Sequence, residues 1–105
     1  MKMIFDANDY RKLEDGETYQ NKFVILSLDF FSSKYKEARY QLFLARSGFG
    51  CDPEKLGGKI FGRYCDGIDQ TRREYVLGVA TEEAIEAWEN AYGMSREVFF
   101  KEEEG

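Results

Sequence analysis

The sequence predicts an α+β domain: a strongly curved antiparallel sheet of four or five strands, able to close as a small barrel, with a C-terminal helix packed against it and a short N-terminal helix. Three observations carry this. Runs rich in β-branched and aromatic residues recur at 23–31, 39–47, 59–65 and 73–80, and the connections between them are short, which favours antiparallel neighbours over a parallel sheet. One amphipathic stripe, from Glu82 to about Tyr92, has helical spacing. The chain of 105 residues is 43% hydrophobic and holds nine Phe, seven Tyr and one Trp, which is enough apolar surface for a core that a disordered chain lacks. A single domain over 1–101 follows, with 102–105 as an acidic tail.

Each element has a local reason. In the polar stretch Asp6 to Lys22, Tyr10 and Leu13 lie three residues apart; Asp6 or Asn8 can cap a two-turn helix there and Asp15-Gly16 can stop it. Phe23 to Phe31 is too dense in apolar side chains for a one-sided strand and reads as the central one. In Arg39 to Ser47, alternation puts Tyr40, Leu42 and Leu44 on one face and Gln41, Phe43 and Ala45 on the other. Residues 48–58 hold four of the ten glycines and the only proline, an ordered loop with unusual backbone angles in which Asp52 caps a short helical piece opened by Pro53. Lys59 to Cys65 is a third strand in which Gly62 marks a bulge or a close backbone approach. Asp66-Gly67 supplies a turn, Ile68 to Thr71 lengthens the connection, and Arg73 to Ala80 is a fourth strand with Tyr75, Leu77 and Val79 sharing a face. For the helix, Thr81 is the cap, Glu82 and Glu83 complement the helix dipole, and Gly93 is the stop. Its buried stripe is Ala84, Ile85, Trp88, Ala91 and Tyr92. Arg96 to Lys101 reads as an edge strand through Val98, Phe99 and Phe100.

Composition excludes whole chemistries. With no His, neither a Ser-His-Asp triad nor a Cys-His pair nor a His-based zinc site can be assembled from this chain alone. Two cysteines, Cys51 and Cys65, are too few for a structural zinc and form no C-x-x-C pair. Charged residues follow Phe5 at once, so no signal peptide is expected, and no apolar run approaches a membrane span. These readings point to a cytoplasmic protein with reduced thiols, without cofactor or metal. Gly48-Phe49-Gly50 begins like a dinucleotide fingerprint, but Pro53 stands at the third glycine position and no Gly-Lys-Ser/Thr follows. Cys51 lacks a general base, and Asp52, Asp66 and Asp69 read as turn and cap residues rather than metal ligands.

Charge is unevenly distributed. The formal net charge is -5, yet from Glu82 onward there are eight acids and two bases, whereas 34–73 hold nine bases and five acids. The basic residues Lys34, Lys36, Arg39, Arg46, Lys55, Lys59, Arg63, Arg72 and Arg73, with Phe49 and Tyr64 interleaved, are either solvent-side residues of strands and turns or a face for phosphate and nucleic acid. A pI near 4.8 opposes nucleic-acid binding in general. The glycine loop either packs on the sheet or presents Phe49 as an anchor for a protein. Glu83, Glu86 and Glu89 form an acidic helical face, solvated or partner-binding.

The run from Ala38 to Tyr64, with its Gly48-Phe49-Gly50-Cys51-Asp52-Pro53 core, resembles small uncharacterised proteins and modules carried by mobile elements of gut Gram-positive bacteria. The resemblance implies a mobile-element setting, and no activity, ligand or site residue. The expected function is a non-enzymatic protein-interaction module, an accessory or inhibitor protein of a mobile genetic element, binding through Arg46, Phe49, Lys59, Arg63, Tyr64, Arg72 and Arg73 or through the acidic helix face. The alternative is a nucleic-acid-binding domain using the basic and aromatic segment 34–73.

Overall fold

The computed structural model describes residues 5–7, 9–27, 40–55 and 57–104. Six strands, β1 (Tyr10–Arg11), β2 (Lys22–Ser27), β3 (Tyr40–Ser47), β4 (Lys59–Tyr64), β5 (Gly67–Arg72) and β6 (Val76–Ala80), precede one helix, α1 (Glu82–Tyr92). They form an open antiparallel sheet in the order β1-β6-β2-β3-β4-β5. Among the described residues β1 and β5 are the edges and do not pair with each other, so the sheet does not close as a barrel.

Alternation sorts the core into two layers, one on each face of the sheet. On the first, Ile25, Leu42, Leu44 and Ala80 meet the helix residues Ala84, Ile85 and Trp88, with Phe5, Ala7 and Phe99 closing the sides. On the second, Val24, Leu26, Phe43, Ala45 and Ile60 lie under Cys51 and Tyr19. β2 contributes to both, as its unbroken apolar run requires, and residues 28–31 of the expected strand lie outside the described residues.

The helix forms as its sequence dictates. Thr81 Oγ1 accepts from the Ala84 N–H at 3.3 Å and donates to the Asp9 carbonyl at 3.1 Å, so the cap also ties down the N-terminal segment. Gly93 ends the helix in the left-handed conformation, φ 64°, which a side chain would disfavour.

Five expectations are corrected. The N-terminal segment holds no helix among its described residues: its few apolar side chains form no long helical stripe, and it gains more by pairing Tyr10 and Arg11 with Ala80 and Val79 and by burying Phe5 and Ala7; Asn8 lies outside the described residues. The 66–71 connection is itself strand β5, because Tyr64 pairs directly with Gly67 and leaves only Cys65 and Asp66 in the turn. Arg73–Tyr75 is a 3-10 turn rather than strand, which breaks the alternation and sends Tyr75 to the second layer and Leu77 to the first. The helical piece of the glycine loop is Phe49–Cys51, before Asp52 instead of after it; Asp52 Oδ1 instead accepts from the Glu54 N–H at 2.9 Å. Finally, the expected edge strand at 96–101 is part of a 3-10 segment, Arg96–Glu104, held by Phe99 and Phe100 edge-on to Phe23, with ring centroids 5.1 and 6.1 Å apart.

No helix of the described residues is long and apolar enough to cross a membrane. Both cysteines are free thiols, and they belong to opposite layers of the core, so no bridge joins them.

Candidate binding face

The hairpin β4–β5 carries the site. The Arg73 N–H donates to the Gly58 carbonyl at 3.1 Å, which makes Lys59 and Arg72 a non-hydrogen-bonded pair of the ladder; Phe61 with Gln70 and Arg63 with Ile68 follow in the same phase. These closely spaced pairs share one face. It therefore presents Lys59, Phe61 and Arg63 on β4 and Ile68, Gln70 and Arg72 on β5, a set with three cations and no acid.

This is the face that α1 covers over β6, β2 and β3, but the cover does not reach β5. Ile68 is 73% exposed and Phe61 47%, and Phe49, beside Gly58 at the start of β4, is 71% exposed with Lys55 Nζ 5.7 Å from its ring centroid. Between Lys59 and Arg72 lies a hollow of about 220 Å³ lined also by Gln70, Thr71 and Tyr75. Arg72 makes a long ion pair with Glu74, 3.6 Å, in which both side chains stay open to water.

The candidate residues separate into two groups. Lys59, Arg72 and Phe49 are exposed around this face. Arg63 shares its parity but is buried, its Nη1 donating to the Phe99 carbonyl at 2.8 Å, so it fastens the C-terminal 3-10 segment to β4. Arg73 is half-buried and staples the glycine loop, donating to the carbonyls of Asp52, at 2.6 Å, and Lys55. Tyr64 packs edge-on to Phe43 in the second layer, centroids 4.8 Å apart. Arg46 is half-buried near the end of β3, and Lys34, Lys36 and Arg39 lie outside the described residues. Sequence reasoning missed Phe61 and Ile68. The parity of Lys59, Phe61 and Arg63 marks Phe61 in the sequence, whereas nothing in the mostly polar run Ile68 to Arg72 marks Ile68 as part of a strand.

The edge of β5 is guarded. In the ladder phase above, the Gln70 N–H points away from β4, and the Asp69 carboxylate accepts it at 2.7 Å. A carboxylate over an outward N–H discourages another strand from adding there, so the open face, rather than the edge, is the accessible surface.

On α1, Glu83 and Glu86 are exposed, but Glu89 is not a free acid. Arg96 Nη1 and Nη2 hold both oxygens of Glu82, at 3.0 and 2.6 Å, while its Nε, Nη2 and backbone N–H all reach Glu89. These hydrogen bonds hold the Glu82 and Glu89 carboxyls below the ordinary value of 4.5. A lowered folded-state value stabilises the fold above the ordinary carboxylate range, and that contribution disappears as pH falls through the lowered value. In Arg96→Met, which keeps the backbone N–H bond to Glu89, the Glu89 midpoint measured by NMR is expected to rise toward the ordinary value; an unchanged midpoint would refute the Arg96 side chain as the main cause.

Other chemistry finds little support. Burial pushes the Cys51 thiol up, the reverse of what a nucleophile needs. A hollow of about 420 Å³ between the 13–18 turn and 52–54 is walled by Glu14, Asp15, Glu17, Asp52 and Glu54. Glu17 is held by Arg11 at 2.7 and 3.0 Å, which lowers its carboxyl to about 2, and no group of three metal-ligating side chains occurs among the described residues. No family model, curated protein or solved structure matches the chain.

Proposed function

We propose that the chain is a non-enzymatic protein-interaction module that docks its partner on the open β4–β5 face, with Phe61 and Ile68 as anchors and Phe49 beside them. The observation that carries this is the exposure of three large apolar side chains around one hairpin, beside which, of such side chains among the described residues, only Tyr10 and Met94 are exposed, and less so, at 38% and 37%. Burying such a side chain is worth about 1.5–3 kcal/mol, so three together suit a binding surface better than a solvated one. In the setting that the sequence resemblance implies, such a module would serve as an accessory or inhibitor protein of a mobile genetic element.

The test is the double substitution Phe61→Ser and Ile68→Ser. Because Ile68 is mostly and Phe61 about half in water, stability should fall by no more than about 2 kcal/mol. Cross-linking in a lysate of the encoding organism should yield a partner with the unmodified chain and with a Glu83→Ser, Glu86→Ser control, and none with the double variant. A partner held equally by all three would overturn the reading.

One observation favours nucleic acid instead: Lys59 and Arg72 form the ladder pair next to the exposed Phe61, cations beside a stacking platform. Against it stands the acidic 3-10 segment, with Glu97, that Arg63 fastens to β4. This reading requires a steep loss of affinity with salt.

A further inference from the structure

We infer that the hollow between Lys59 and Arg72 is an anion subsite for a carboxylate side chain of the docked protein, so that the partner segment is acidic as well as apolar. This rests on the docking reading above and specifies the chemistry of the partner.

The strand register supplies the first reason. Lys59 and Arg72 are directly opposite in the closer of the two antiparallel pair geometries, where like charges oppose sheet formation. No acid of β4 or β5 shares their face, and Glu74 reaches Arg72 only at 3.6 Å through water-exposed atoms, a weak compensation. Two cations held together with so weak a counter-charge are matched by an anion from outside. The surroundings supply the second. The hollow of about 220 Å³ has room for a carboxylate and is lined, besides the two cations, by Gln70, Thr71 and Tyr75. A planar guanidinium accepts a carboxylate through paired hydrogen bonds, with the lysine as a point charge beside it. The third reason is the number of charges. Arg63 is committed to the Phe99 carbonyl, so this face offers two exposed cations at one end and, beyond the Phe61–Gln70 pair, Ile68, an aliphatic side chain with no stacking role. A single acid set among apolar residues fits that pattern better than a polyphosphate backbone, which needs a track of cations.

Two short capped peptides test this, one of alternating leucine and glutamate and one of alternating leucine and glutamine, each titrated into the full chain and followed by backbone amide shifts. The glutamate peptide should move Lys59, Gln70 and Arg72 together with Phe61 and Ile68, and bind about tenfold more tightly than the glutamine peptide. Lys59→Gln with Arg72→Gln should erase that difference; relief of the like-charge pair should leave its thermal stability equal or higher. Equal binding of the two peptides at Phe61 and Ile68 removes the subsite and leaves the docking face standing. Binding of neither peptide there removes both. An oligothymidylate that shifts the same amides more tightly than the glutamate peptide overturns the inference in favour of nucleic acid.

Discussion

Replacing Trp88 by alanine is expected to lower stability by about 3–5 kcal/mol, measured by urea unfolding. Trp88 is fully buried in the middle of the helix stripe, where it stacks on Tyr92, centroids 5.2 Å apart, and meets Phe99 at 5.0 Å. The same cluster takes in Ile25, Leu42 and Leu44 from the sheet and Phe5 from the N-terminal segment, so the indole joins helix, sheet and both chain ends. A domain of this size is stable by only about 5–15 kcal/mol, and the loss would be a large part of it. The indole Nε1 is buried without a hydrogen-bond partner among the described residues. Trp88→Phe therefore sacrifices packing but no hydrogen bond, and should cost clearly less than Trp88→Ala. If the two variants lose the same amount, the aromatic ring at this position does not carry the packing; if Trp88→Ala loses under about 1 kcal/mol, the helix does not close this core. The effect reaches the binding face, because Phe99 touches Trp88 with its ring and receives Arg63 at its carbonyl. Loosening the indole therefore loosens the border of the open β4–β5 surface.

What was legible in the sequence follows the range of the signals. The helix was read with its cap, stop and buried stripe because Thr81, Gly93 and the spacing of Ala84, Ile85 and Trp88 act within a few residues of one another. The two faces of β3 were read from alternation alone. β5 was not, since an edge strand of the sequence Gly-Ile-Asp-Gln-Thr-Arg has no apolar alternation to show: most of its side chains meet water on both faces. The two-residue β1 exists only because β6 is there to pair with it. Val98, Phe99 and Phe100 have the composition of a strand, but packing against Phe23 and Trp88 decides their conformation. The candidate site was half legible for a similar reason. Composition finds every cation, yet it cannot distinguish Lys59 and Arg72, which face water, from Arg63, whose partner is a carbonyl 36 residues away, or Arg73, whose partners lie 21 and 18 residues back.

Gly62→Ala should be among the most damaging single substitutions in the sheet, with a loss at or above the upper end of the roughly 1–3 kcal/mol usual for overpacking. A Cβ at Gly62 would stand 1.9 Å from the Leu44 carbonyl oxygen and 3.0 Å from the Phe43 ring. The obstacle is backbone, so no rotamer change relieves it; β4 must move away from β3 and give up pairing on both sides of residue 62. The reason for this closeness is visible in the register. Gly62 pairs with Ala45, but Phe61 pairs with Ser47, so one residue of β3 is extra at this point. Such a bulge bends and twists its strand, and it falls just where β4 leaves the sealed core for the open face. The methyl would then displace Phe61 and Lys59 together with the ladder, and the Gly62→Ala chain should lose binding of the leucine–glutamate peptide as well as stability. Urea unfolding and the amide spectrum decide the matter. Stability within about 0.5 kcal/mol of the parent and unshifted amides at Leu44 and Phe61 would mean that β3 and β4 do not meet at this distance, and the placement of the binding face on β4 would fail with it.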